Sequence, residues 1–342
     1  MHGPSFNKMK FQVGYQKKRR FVEYLLAHLE NVSELYFPWE GFSTGRGVPM
    51  GREPQRQLEA DLELFSRAGI KLCLLLNGNC YGRQTLSRSF FQHLGDTVDF
   101  IGSTWGLAAV TTASPLIARF LRTNFTALEL RASVNMEIGT PEAMEYVADQ
   151  FDSFYLKREF NYHPDMLERM HEFCHAQGKK LFLLANSGCL NFCSARTFHD
   201  NLVAHQHETE EMDNAFVFHG ICTEFLKSGN HRDDLLFYSN FIRPEDVPLY
   251  AEWCDGIKLA TRTNFNPLAV ATAYFTGVWH GNLLDLTEPA HTELFHPQIL
   301  ANGKIPSDYA ATRLRLADRE AERRYCAEIQ RGAMVTLDPV DL

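Results

Sequence analysis

Apolar positions along this chain fall into short runs rich in Leu, Ile, Val and Phe, and each run is followed by a segment in which apolar residues recur with helical spacing. Alternation of that kind predicts parallel strands joined by crossover helices. Strands are expected at 10–16, 33–39, 71–77, 98–105, 127–135, 153–158, 180–186 and 256–262. There are eight of them, the number that closes a parallel barrel. The fold class predicted is therefore α/β, a (β/α)8 TIM-type barrel.

Helix starts are marked between the strands. Pro54 precedes Leu58, Leu62, Leu64 and Phe65, while Ser114 before Pro115 and Thr140 before Pro141 have the form of an N-cap followed by proline at the first helical position. Pro164 opens a helix stopped by Gly178, and Pro244 opens one running to Trp253. Two stretches break the rhythm. The segment 187–240 after strand seven is far longer than an ordinary connection, the kind of loop that carries function. A final helix of the barrel is expected at 266–276, so the organisation predicted is a barrel over 1–276 and a C-terminal extension, 277–342, packed on it, with a helix at 312–330.

Composition narrows the function classes. Hydrophobic residues make up 45% of the 342 and charged residues 22%, an ordinary globular balance. The net charge of −8 argues against a nonspecific grip on nucleic acid, and no apolar stretch approaches a membrane span. The N-terminal segment lacks the apolar run of a secretory leader, so a cytoplasmic location is expected. In that reducing setting the 8 cysteines are not expected to form a disulfide framework.

Barrels of this type carry their chemistry at the C-terminal ends of the strands. That rule selects Trp39 and Glu40, Asn77 to Cys80, Trp105, Asn135 and Glu137, Arg158 to Asn161, Asn186 to Cys189, and Arg262. The sharpest signal is Cys189-x3-Cys193 after strand seven, with Cys222 in the same insertion. Thiolates are soft ligands that suit iron–sulfur clusters, and Gly188 leaves room for backbone to approach one. Cys80 would reach the same face from strand three and is the first candidate for a fourth ligand, with Cys254 the alternative. Cys73, Cys174 and Cys326 read as buried apolar residues. His199, His205, His207 and His219 offer zinc as a rival, without an H-E-x-x-H or C-x2-C pair. Arg158 and Arg262 suit an anionic group on a substrate, and Glu137, Glu159 and Glu40 could move protons. The glycine-bearing stretch 41–51 reads as a lid after strand two.

Four stretches together resemble the collagenase-like peptidase U32 family: Ala-Ser-Val-Asn at 132–135 with Thr-Pro-Glu-Ala at 140–143; Phe-Tyr-Leu-Lys-Arg-Glu at 154–159; Phe-Val-Phe-His-Gly at 216–220 with Cys222; and Phe-Ile-Arg-Pro-Glu-Asp at 241–246 running to Ile-Lys-Leu-Ala-Thr-Arg at 257–262. The resemblance implies a barrel with a cysteine-bound [4Fe-4S] cluster. It also implies either peptidase activity, after the family's name, or oxygen-independent hydroxylation of the kind several members perform. This sequence departs from the pattern where Ala215 stands in place of the usual glutamate, and where only Cys254 and Cys326 follow Cys222. The function expected is an iron–sulfur enzyme acting on a small anionic substrate by hydroxylation or related redox or lyase chemistry. Cys189, Cys193 and Cys222 would be the ligands, with Cys80 a candidate fourth. The alternatives are a hydrolase, and a cluster-bearing subunit that serves a protein partner.

Overall fold

The computed structural model describes residues 9–46 and 51–337. Eight parallel strands close into a barrel in sequence order: β1 (Phe11–Gly14), β2 (Val32–Phe37), β3 (Lys71–Leu76), β4 (Ala109–Thr112), β5 (Glu129–Ala132), β6 (Ser153–Tyr155), β7 (Lys180–Leu184) and β8 (Gly256–Leu259), which pairs with β1. The predicted (β/α)8 barrel is therefore present. Around it lie α1 (Arg19–Ala27), α2 (Arg52–Arg67), α3 (Arg88–Trp105), α4 (Pro115–Asn124), α5 (Pro141–Glu145) and α6 (Pro164–Ala176). The insertion after β7 carries α7 (Arg196–Ala204), α8 (Gln206–Glu210), α9 (Ile221–Lys227) and α10 (Leu235–Tyr238). A 3-10 segment, Pro244–Tyr250, leads into β8, and α11 (Pro267–Thr276) follows it with Asn266 as N-cap.

The expectation of a strand at 98–105 is corrected. Those residues complete α3, whose Phe90, Leu94, Val98 and Ile101 form one buried stripe and whose first turn is capped by Ser87. The fourth strand is the four-residue run after Gly106, and Trp105 ends a helix, packed with Trp39 and Phe100. Neither tryptophan lines the barrel mouth.

The extension comprises α12 (Thr292–Phe295), α13 (Tyr309–Arg313), α14 (Arg319–Ala333) and a two-stranded antiparallel pair, β9 (Gln298–Leu300) and β10 (Met334–Thr336). The single helix expected at 312–330 is thus two helices, the second started by the Asp318 side chain accepting from Ala321 N–H. Arg313 fastens this layer to the insertion by donating to the carbonyls of Phe237 and Ser239, while Asn186 at the end of β7 donates to the Leu286 carbonyl. Of the stretch read as a lid, residues 47–50 lie outside the described residues.

Strand alternation makes the lumen polar. Leu35, Phe37, Leu72 and Leu74 point outward into the main core, while Tyr36, Cys73, Leu75 and Ala109 form a separate inward cluster. Lower in the lumen Arg131 clamps Glu34 with two contacts of 2.7 Å, both side chains almost fully buried. Arg131 also meets Glu129 at 2.8 Å and lies over the Phe182 ring. Removing one partner of such a pair strands a buried charge. Glu34→Ala should lower stability by about 3 kcal/mol in urea unfolding, whereas Glu34→Leu combined with Arg131→Met should recover most of that loss.

Candidate active site at the barrel mouth

Two chambers open at the C-terminal ends of the strands. The central one, about 60 Å³, lies on the barrel axis and is lined by Asn77, Asn135, Arg158, Lys258 and Arg262, among others. The second, about 320 Å³, lies to one side under the insertion and is lined by Cys189, Cys193, Arg196, His199, Asp200 and Cys222. Arg46 and Glu288 belong to both walls. Their ion pair, 3.0 Å from Arg46 Nε to Glu288 Oε1, forms the partition.

The three cysteines of the insertion therefore share one chamber. Cys189 follows β7, Cys193 lies one turn before α7, and Cys222 sits in the first turn of α9. Burial alone would push the Cys189 thiol up, but Arg158, Arg196 and Arg46 outweigh it and hold the group below its ordinary range. Cys222 is pushed up by burial first and then by the neighbouring Cys189 and Cys193. Gly188 has a different duty from the one expected. A side chain there would strike the Pro289 carbonyl oxygen at 1.8 Å, so the glycine admits the extension rather than a ligand. Its N–H donates to the Glu288 carbonyl, and its own oxygen meets His291 Nε2 at 2.8 Å.

Arg158, Glu137, Glu159 and Arg196 form a linked cluster behind the chambers. Glu137 lies 3.3 Å from Lys157, 3.6 Å from Arg158 and 3.8 Å from Arg196; Glu159 lies 3.3 Å from Arg196. Neither glutamate lines a chamber, whereas Arg158 faces the central one and Arg196 the thiol chamber. Buried polar atoms without a hydrogen bond gather here: Arg158 Nε, Arg196 Nη1, Asp200 Oδ2, Glu137 Oε1 and Glu159 Oε2. Buried groups of this kind are normally satisfied, so such a concentration is the signature of a site prepared for a ligand. Arg262 donates to Thr44 Oγ1 and to the Arg46 carbonyl, both at 2.8 Å, with no carboxylate at ion-pairing distance among the described residues. Among the described residues no three His, Cys, Asp or Glu side chains are grouped tightly enough to hold one metal ion.

Cys80 is not in the thiol chamber. It lies on the outer face after β3 beside His205, with Gly82 N–H donating to its sulfur at 3.3 Å and His205 Nδ1 3.1 Å from Glu208 Oε2. Its thiol is held below the ordinary range, chiefly by the hydrogen bond with His205. Cys254 is buried near the start of β8, its sulfur 3.4 Å from the Tyr250 carbonyl, and Cys73, Cys174 and Cys326 are buried as expected. His219 is exposed on the insertion, and Glu40 lies outside both chambers. A hollow of about 380 Å³ at the other end of the barrel, lined by Met9, Phe11, Val247 and Phe275, is apolar and carries no comparable chemistry.

The sequence reading did not find Arg46, Arg196, Asp200 and Glu288, which tertiary contacts alone bring to the mouth. Lys258 had a signal, since a lysine amid Ile257, Leu259 and Ala260 on a barrel strand alternates into the lumen.

The architecture is that of a (β/α)8 barrel with a covered mouth. No protein-family model matches the chain. An uncharacterized protease of Methanocaldococcus jannaschii is 22% identical over 301 residues, covering 86% of this chain and 87% of that protein. Among solved structures, the U32 peptidase Mk0906 superposes with a TM-score of 0.53 at 15% identity, over 75% of this chain and 95% of its own. The endoglucanase Cel5A of Pseudomonas stutzeri matches at a TM-score of 0.37 and 10% identity, over 58% of this chain and 82% of its own. The likeness to the peptidase U32 family read from the sequence is borne out by these two similarities, one to a protein named as a protease and one in fold to a U32 peptidase. No helix among the described residues is long and apolar enough to cross a membrane.

The Cys80 environment makes a distinct prediction. Because His205 favours the thiolate, Cys80 should react with iodoacetamide at lower pH than Cys73, Cys174 or Cys254, each of which burial pushes up to about 12. His205→Ala should move the Cys80 alkylation midpoint upward; an unchanged midpoint, followed by peptide mass spectrometry, would show that the imidazole is not coupled to it.

Proposed function

We propose that the protein is an iron–sulfur enzyme of the U32 type that acts on a small anionic substrate, by oxygen-independent hydroxylation or a related redox or lyase step. The observation that carries this reading is the convergence of Cys189, Cys193 and Cys222 on one chamber whose walls also hold unpartnered buried polar atoms. Soft thiolates favour such a cluster, and its ligands bind different irons, so they stand further apart than the ligands of a single ion. That spacing is compatible with three thiols that share a chamber without converging on one point. Arg46, Arg158 and Arg196 favour deprotonated Cys189 and would offset the negative charge of a thiolate-bound cluster.

When bound, a [4Fe-4S] cluster on three thiolates supplies one-electron transfer and one iron open to an external ligand. The chain's own residues do the rest. Arg158 and Arg262 face the central chamber and orient an anionic group there. Glu288 lines both chambers and is kept ionised, against the effect of its burial, by Arg46 and the Thr263 N–H, which places a carboxylate base at the partition. Glu137 and Glu159 hold the arginines in place rather than touch the substrate. The helices of the insertion partly cover the thiols, which are half-buried.

Anaerobic reconstitution should give a brown protein with iron and sulfide bound in near-equal amounts. Cys189→Ala, Cys193→Ala and Cys222→Ala should each lower iron content several-fold, while Cys254→Ala and Cys326→Ala leave it unchanged. Full iron in all three of the former would end this assignment.

A second reading, hydrolysis through a thiol nucleophile, is favoured by one observation, the chain Cys80, His205 and Glu208 on the exposed face of the same end of the barrel. A thiol beside an imidazole that a carboxylate orients is the arrangement a cysteine hydrolase uses. If the protein cleaves peptides, Cys80→Ser should abolish cleavage without altering iron content. Cleavage that survives Cys80→Ser would discard this reading.

A further inference from the structure

Lys258 occupies the floor of the central chamber, on β8 in the same inward row as Ala260 and Arg262. It is 8% exposed, and its ammonium lies 4.1 Å from the centroid of the Tyr36 ring and 4.9 Å from that of Tyr155. It enters no hydrogen bond or ion pair among the described residues. Glu34, a carboxylate whose charge acts on it, is already engaged by both arms of Arg131. Both tyrosine hydroxyls are also committed, Tyr155 to Gln12 and Tyr36 to the Leu259 carbonyl.

A lysine in that position is an expensive way to fill a lumen. Two aromatic rings recover part of the lost hydration, but a leucine or methionine would pack there with no charge to bury. Burial is the largest influence on the amine and brings it down to about 8; Arg262 and Arg131 act in the same direction, and Cys73 and Glu34 oppose them. Near pH 7.5 about a quarter of such amines are neutral and nucleophilic, against about 0.1% of ordinary lysines.

We propose that Lys258 is the amine of an imine-forming site, and that the substrate of the central chamber is a small carbonyl compound bearing a carboxylate. The proposal rests on the reading that this chamber takes the anionic substrate, and is independent of the cluster. The neutral amine attacks the carbonyl carbon, a C–N bond forms, and the carbonyl oxygen leaves as water with the two amine protons. The resulting C=N bond draws electrons from the adjacent carbon without any net oxidation or reduction. Arg262, without a carboxylate partner among the described residues and lining the same chamber, takes the substrate's carboxylate in a two-point contact. The volume, about 60 Å³, admits only a few heavy atoms, which selects a short carbonyl acid or the carbonyl-acid end of a longer one.

The test uses the full chain, glyoxylate and cyanoborohydride at pH 7.5, with labelled lysines mapped by peptide mass spectrometry. Lys258 should gain a carboxymethyl group at least tenfold faster than the exposed lysines, and its labelling by glyoxylate should exceed that by acetaldehyde, an excess that Arg262→Met removes. Labelling of Lys258 no faster than that of exposed lysines would overturn the imine site. Fast labelling with equal rates for glyoxylate and acetaldehyde would overturn the carboxylate assignment, and with it the anionic-substrate reading of the chamber, while the amine stands. Because iron plays no part in the readout, neither result bears on the three cysteines.

Discussion

The ion pair between Arg46 and Glu288 is the contact on which the mouth of this barrel depends. Glu288 comes from the extension, and its buried carboxylate takes Arg46 on one oxygen and the Thr263 N–H, just beyond β8, on the other. Its backbone pairs with Asn186 and Gly188 at the end of β7. One residue therefore ties together the segment after β2, the ends of β7 and β8, and the layer that covers them. A carboxylate removed from water this completely is tolerable only while its partners stay in place. The same contact divides the mouth into two compartments of different chemistry.

That division matters because the cations here outnumber the acids that could neutralise them. Arg131 is matched by Glu34 and Glu129 deep in the lumen, and Arg196 by Glu159, but Lys258 and Arg262 lack a carboxylate partner among the described residues, and two buried nitrogens, Arg158 Nε and Arg196 Nη1, make no hydrogen bond. A fold optimised only for stability would replace such groups with apolar side chains of similar size. Their persistence at one end of the barrel, while the hollow at the other end is apolar, separates the part of the molecule that packs from the part that binds.

How much of this was legible in the sequence depends on the range of the interaction concerned. Strands seven and eight were readable because long apolar runs end abruptly in polar residues, and the thiols of the insertion followed from the strand-end rule. The fourth strand was misplaced because Val98-Asp-Phe-Ile101 is a dense apolar run in isolation, and only its spacing from Phe90 and Leu94 reveals a helical stripe. The four-residue strand that replaces it carries little signal of its own. Arg46, Arg196 and Glu288 could not be read at all, since a charged residue in a loop or an extension looks solvated until the chain folds it onto a neighbour. Gly188 was noticed for the right reason, a need for space, but the neighbour that needs the space lies a hundred residues further along.

The half-buried cysteines at this end of the barrel divide by what surrounds them, and the surroundings decide which chemistry each can support. Cys189, Cys193 and Cys222 lie half-buried under helices of the insertion, in a chamber that Arg46 and Arg196 also line, where a redox centre would be partly covered. Cys80 lies outside that chamber beside a partly exposed imidazole, and hydrolysis is the reaction that needs water at the nucleophile. The two sets therefore do not compete for one function. Cys80 outside and the three thiols under the insertion share one barrel end because loops leaving that end are free to vary, while the Arg46–Glu288 contact sets the thiol chamber apart from the central one.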